Sequence, residues 1–234
     1  WKSYAVSDTG NKRAINQDAY FCHDNHGVWL VADGMGGHED GEIASQTIVQ
    51  SIANLCESGK DNIRTTNITS MLEDVNQQIH HQNIALNRTV GSTIAMVMMN
   101  EDSFSYLWAG DSRIYLYRDK NLEQITTDHS YIQELLKLNK IAQNDAKHHK
   151  QRNLITRAIG IDKTIELESG THDLQTGDKL LICTDGLYSE LSSQEISTIL
   201  EHDSPNDATI NLKKVCLSRE ASDNVSFILI GNDS

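Results

Sequence analysis

Apolar and polar positions alternate in short bursts over residues 4–6, 19–23 and 27–32, which predicts three β-strands near the start of the chain. Asp24-Asn25-His26-Gly27 supplies the turn between the second and third. The period then changes: Ala44, Ile48, Ile52 and Leu55 recur at helical intervals until Gly59. A second helix is predicted over residues 69–86, with Met71, Leu72, Val75 and Ile79 on one face. Strands are predicted again at 92–99, 104–109 and 113–118. Residues 130–152 are helical in pattern but very polar, and carry Lys147, His148, His149 and Lys150. Strands resume at 164–167 and 179–184. Two helices, near 193–200 and 207–217, lead to a last strand at 225–230. Runs of strands separated by paired helices imply an α+β fold of antiparallel sheet with helices packed outside, and not βαβ alternation.

A chain of 234 residues is long enough for a substantial core, and nothing in it reads as a linker, so 1–234 is expected to be one domain. A formal net charge of -13 argues against nucleic acid or an anionic membrane as partner. Cys22, Cys56, Cys183 and Cys216 form no C-x-x-C pair, which points to reduced thiols and a cytoplasmic protein. The apolar runs at 93–99 and 227–230 are strand-sized, too short to span a bilayer. The chain opens at Trp1 without an initiator Met, which is compatible with a removed leader.

The chemistry concentrates where strands end. Val28 to Ala32 runs directly into Asp33-Gly34-Met35-Gly36-Gly37-His38. As a dinucleotide fingerprint this stretch fails, because Glu39 occupies the position of the last glycine and would face a pyrophosphate. Asp185-Gly186 ends the strand at 179–184, Asp223 precedes the last strand, Asp111 follows Trp108-Ala109-Gly110, and Asp18 opens the strand at 19–23. Any one of these is an ordinary turn former. Five of them converging would repel one another unless cations were bound, and an all-carboxylate set selects Mg²⁺ or Mn²⁺ over zinc. Spacing alone does not show that they converge.

The ordered motifs resemble a known family. Ser7-Asp8-Thr9-Gly10, Arg13 and Asn16-Gln17-Asp18-Ala19 are similar to the opening motif of the metal-dependent type 2C serine/threonine protein phosphatases, and residues 31–45 to the second motif of its bacterial, stand-alone members. Gly91-Ser92-Thr93, residues 109–113, Thr127-Asp128-His129-Ser130, residues 152–160, Thr184-Asp185-Gly186-Leu187 and residues 222–226 follow in the family's order across nearly the whole chain.

The resemblance implies a four-layer α/β/β/α sandwich, two antiparallel sheets between helix pairs, with a binuclear centre of Mn²⁺ or Mg²⁺ at one end. It implies that Asp33 bridges the two ions, that the Gly34 carbonyl, Asp185 and Asp223 complete one shell, and that Asp18 acts through water. Asp111 with Asp185 would hold a third ion, and residues 130–152 would form a flap. The implied reaction is attack of a metal-activated water on phosphoserine or phosphothreonine, without a phosphoenzyme. Arg13 would grip the phosphate, and Arg13, Asp33 and His38 are the candidate catalytic residues, His38 as acid for the leaving group.

Departures from the family pattern are Gln17 for the usual Glu, Met35 where animal members have His, Asn139 for a common Gly, and His148-His149-Lys150 for His-Pro. The first bears on metal affinity and the last two on substrate choice. The expected partners are phosphorylated proteins, targets of a partner serine/threonine kinase, and the default state is a monomer. The alternative is a catalytically silent relative that binds phosphoproteins.

Overall fold

The structure, a computed structural model, describes residues 1–37, 40–59, 63–146 and 149–232. Its elements run β1 (Lys2–Asp8), β2 (Asp18–His23), β3 (Val28–Gly36), α1 (Asp40–Glu57), α2 (Thr65–Leu86), β4 (Val90–Ser92), β5 (Ile94–Met99), β6 (Ser103–Ala109), β7 (Arg113–Arg118) and β8 (Asn121–Gln124). There follow α3 (Tyr131–Lys137), α4 (Gln143–Ala146), β9 (Glu168–Asp173), β10 (Lys179–Cys183), α5 (Asp185–Tyr188), α6 (Ser193–His202), α7 (Pro205–Leu217) and β11 (Val225–Gly231).

Strand alternation builds the layers. Along β3, Val28, Leu30 and Ala32 pack under α1 and α2, while Trp29 and Val31 face the other way into a central core. Along β11, Val225, Phe227 and Leu229 pack under α6 and α7, while Ile228 and Ile230 enter the same central core. Each central strand is therefore apolar on both faces, as a sheet covered on both sides requires. One sheet has the order β1-β11-β10-β7-β8, the other β2-β3-β5-β6-β9 with β4 added to β3, and all pairings are antiparallel. Two sheets between helix pairs is the four-layer sandwich expected.

Register decides which strand ends share a pole. Asp18 lies opposite Asp33 across β2 and β3, Val31 opposite Ala95, and Ile94 opposite Ala109. In the other sheet Cys183 lies opposite both Arg113 and Phe227, and Asp8 opposite Val225. Residues 9–17 and 110–112 cross from one sheet to the other at this pole, so their register ties the sheets together there. The hairpins at 24–27 and 100–102 lie at the far pole, where Lys2 also pairs with Gly231.

Five elements differ from expectation: the strand predicted at 92–99 is β5 alone, with the short β4 set apart from it at Thr93. The strand predicted at 164–167 is a loop whose Ile165 and Leu167 pack against the helix-covered core; the strand is instead the polar β9, an edge paired with β6. β3 continues through Asp33 to Gly36 because Gly34, Met35 and Gly36 pair with β4. The polar edge strand β8 and the single turn α5 have no periodic apolar signal and were not expected. The excursion 130–152 carries α3 and α4, in keeping with its helical pattern.

Asn83 shows how α2 is locked to the sheet. Its side-chain amide donates to the carbonyls of Val90 (2.6 Å) and Gly160 (2.9 Å), and its oxygen accepts from the Val90 amide (3.2 Å). Asn83→Ala strands buried backbone groups, each at roughly 1–3 kcal/mol. The expected result is a lower denaturant midpoint with an unchanged slope; an unchanged midpoint would show that the lock contributes nothing.

Candidate metal and phosphate site

Every aspartate singled out in the sequence stands at the pole defined above. Asp18 and Asp111 are buried, while Asp33, Asp185 and Asp223 are half-buried and leave part of their surface open. Backbone crowding explains the glycine beside Asp33. A Cβ on Gly34 would lie 2.1 Å from the Gly41 carbonyl oxygen and 2.6 Å from that of Gln17, so only glycine lets the β3 end, the start of α1 and the 9–17 crossover meet. Gly10, at φ +76°, does the same on the other side, where a Cβ would fall 2.1 Å from the Asp223 carbonyl oxygen.

A polar frame holds the acids. Thr184 Oγ1 donates to Asp18 Oδ2 (2.9 Å) and accepts from the Ser226 amide (3.1 Å). The Asp33 amide donates to Thr93 Oγ1 (3.0 Å), and Thr93 Oγ1 pairs with Ser112 Oγ at 2.7 Å. Asn224 is the most connected member. Its Oδ1 accepts from the Gln17 amide (2.8 Å), and its Nδ2 donates to the carbonyls of Thr9 and Ile15, both at 2.9 Å. Thr184, Thr93, Ser112 and Asn224 were not singled out from sequence. Each lies within one of the ordered motifs, and the signal available was a small polar residue in an otherwise apolar strand end.

The electrostatics are those of like charges forced together. Burial, before any neighbour, pushes Asp18 and Asp111 up to about 6 and Asp185 up to about 8. Asp33 is raised well above the ordinary carboxylate range, first by burial and then by the charges of Asp18, Asp185, Asp111 and Asp223. Arg13 brings a positive charge to the acids. Its exposed guanidinium donates to Asp223 Oδ2 at 2.8 Å, and Asp223 first, then Asp185 and Asp33, hold it more firmly charged.

The remaining sequence candidates fall as follows. His38 lies outside the described residues, as do Lys147 and His148 of the basic run. Gln17 offers its backbone to the frame: its carbonyl accepts from the Gly34 amide (3.1 Å) and from Ser45 Oγ (2.6 Å). Asn139 adopts φ +53° just after α3, a conformation that glycine and asparagine share, so its exchange for Gly meets a backbone requirement.

The pole fits hard divalent cations on two observations. The donor set is all oxygen. Two of its atoms, Oδ1 of Asp111 and Oδ1 of Asp185, are buried without a hydrogen-bond partner, a costly state that a cation relieves. Among the described residues no three His, Cys, Asp or Glu side chains are already drawn into a closed shell. The carboxylates are near enough to raise one another's pKa and too open to be a finished cage.

Comparison with known proteins agrees with this architecture. A family model described as protein phosphatase 2C matches residues 10–213. Protein phosphatase PhpP of Streptococcus pneumoniae is 34% identical over 234 residues, covering 96% of this chain and 95% of its own. The crystal structure of the Mycobacterium tuberculosis serine/threonine phosphatase PstP/Ppp has a TM-score of 0.88 at 29% identity and covers 97% of both chains. A structure of the PstP catalytic domain in complex with two manganese ions has a TM-score of 0.87 at 28% identity, over 97% of this chain and 96% of that one. Fold and acidic pole together are those of a metal-dependent protein phosphatase. Within that class, the chain belongs to the protein phosphatase 2C family.

A pH prediction follows from the raised carboxylates. Each binds its proton more tightly folded than unfolded, so its stabilising contribution is complete below about pH 4 and is lost as pH rises through the folded values. Chelator-treated protein should therefore lose thermal stability between about pH 4 and 8, the span from the ordinary value of 3.8 to the folded value of Asp185. Asp185→Asn should flatten the upper part of that fall, and Mn²⁺ should restore stability most at pH 8. A chelated melting temperature that rises from pH 5 to pH 8 would contradict the assignment.

Proposed function

We propose that this chain hydrolyses phosphoserine and phosphothreonine in proteins at the acidic pole, using divalent metal and a water nucleophile. The observation that carries this reading is the crowding of Asp18, Asp33, Asp111 and Asp185, two buried and two half-buried, as mutually repelling acids, with one carboxylate oxygen each of Asp111 and Asp185 buried and unpaired. Asp33, Asp185, Asp223 and the Gly34 carbonyl would hold the ions, with Asp18 supporting them and Asp111 serving a further ion with Asp185. When bound, such ions supply an acidified water and positive charge against the phosphoryl oxygens.

The chain's own residues perform the rest. Arg13 stands half in solvent beside Asp223, where its planar fork can take two non-bridging oxygens of an incoming phosphate. The frame of Thr93, Thr184 and Asn224 fixes the acids before substrate arrives, so orientation need not be achieved during reaction. His38 is the proposed proton donor to the leaving alkoxide. We infer further that Mn²⁺ or Mg²⁺ serves the site, that the substrates are targets of a serine/threonine kinase, and that the chain works as a cytoplasmic monomer. No helix of the described residues is long and apolar enough to cross a membrane. The silent, phosphoprotein-binding alternative has no observation in its favour, since Arg13 and all five aspartates stand together.

The test is hydrolysis of a phosphothreonine peptide with Mn²⁺ and then with chelator. Activity should require the metal, and Asp33→Asn and Asp223→Asn should abolish it while the protein stays folded. Turnover that survives chelation would sink the two-metal reading, and a folded, metal-loaded but inert protein would favour the silent relative. Arg13→Ala should lower kcat/KM for the peptide about 10- to 100-fold, the worth of a charge-assisted hydrogen bond. An unchanged kcat/KM would remove Arg13 from the phosphate site.

A further inference from the structure

His129 joins three parts of the molecule that the reaction as proposed leaves unconnected. Its ring is buried and packs nearly parallel to Trp108, with centroids 5.8 Å apart and planes 8° apart. The Gly110 amide donates to His129 Nδ1 at 3.1 Å, and the His129 amide donates back to the Gly110 carbonyl at 2.9 Å. Since Nδ1 accepts, the neutral ring carries its proton on Nε2, which lies 3.1 Å from Glu168 Oε1 on β9 and 3.3 Å from Arg157 Nη1. Arg157 Nη1 donates to the same Glu168 oxygen at 3.2 Å and to the Glu166 carbonyl at 3.1 Å.

The next residue, Ser130, forms a β-bridge with Ile155, and the Thr156 amide donates to the His129 carbonyl at 2.8 Å. These contacts, at and just beyond its ends, close the neck of the 130–152 excursion. The residue after Gly110 is Asp111, whose own carbonyl accepts from Tyr188 at 3.0 Å. One imidazole thus grips the turn that carries a carboxylate of the acidic pole, and its backbone forms one side of the neck.

We propose that His129 is a positioning residue: it fixes Asp111 through Gly110 and ties the excursion to that carboxylate. The inference rests on the reading of Asp111 as a metal ligand. A shift of the excursion at its neck displaces His129, opens both hydrogen bonds to Gly110 and turns Asp111 out of place. The anchor on the far side of the ring, Glu168 with Arg157, holds the imidazole against such a shift.

The experiment measures Mn²⁺ binding by calorimetry and amide exchange at Gly110 in His129→Ala, His129→Asn, Glu168→Ala and Asp111→Ala, with kcat and KM for a phosphothreonine peptide. His129→Ala should speed Gly110 exchange and weaken the weakest class of Mn²⁺ sites about tenfold, as loss of a buried hydrogen bond implies. His129→Asn keeps an acceptor near the place of Nδ1 and should restore both. Glu168 lies on an exposed edge, so Glu168→Ala tests the tie even where His129→Ala fails to fold; it should show the same changes in smaller measure. Wild-type exchange and Mn²⁺ binding in folded His129→Ala, or in Glu168→Ala, would overturn the proposal. Asp111→Ala separates the two claims: unchanged Mn²⁺ binding there refutes the ligand reading, and Gly110 exchange in His129→Ala then still decides for or against the clamp.

Discussion

Burying carboxylates beside one another is unfavourable twice, once for desolvation and once for repulsion, and this chain gathers five aspartates, two buried and three half-buried, at a single pole. The rest of the architecture can be understood as what makes that tolerable. Antiparallel register brings strand ends from both sheets to the same level, and two short crossovers bind the sheets there. Apolar contact on both faces of β3, β5, β10 and β11 supplies the driving force that offsets the charged end. Thr184, Thr93 and Asn224 satisfy what the carboxylates and their backbones would otherwise leave unpaired. The two carboxylate oxygens without hydrogen-bond partners, on Asp111 and Asp185, are where the proposed ions would make contact.

Strands with apolar residues on successive positions, such as β5, β10 and β11, were legible because both their faces are covered and any polar residue would be costly. The polar edge strands β8 and β9 were not, since one neighbour and a solvent face impose no pattern. Ile165 and Leu167 misled for the opposite reason: loop residues that cover a core look like a strand. At the site, the aspartates could be picked out individually, and their order matched a family. Their convergence is a property of register between residues as far apart as Asp18 and Asp223, which no local window contains. His129 was visible only as a motif letter, because its role depends on which atom of Gly110 it meets in space.

The same logic separates what is rigid at the pole from what can move. Asp33 and Asp18 sit within paired strands and gain the stiffness of a ladder. Arg13 lies on a crossover, with an exposed side chain bonded to one acid. A fixed acid set with an exposed cation beside it suits a reaction in which the charge of the substrate, and not the charge of the protein, is what comes and goes.

The pairing of Lys2 with Gly231 has a topological consequence. These positions are neighbours at the end of the sandwich remote from the acids, while Asp8 and Val225 pair at the acidic end. Strands from opposite ends of the numbering thus lie side by side along their full length, and what brings the first and last motifs together is lateral pairing, to which their separation along the chain is irrelevant.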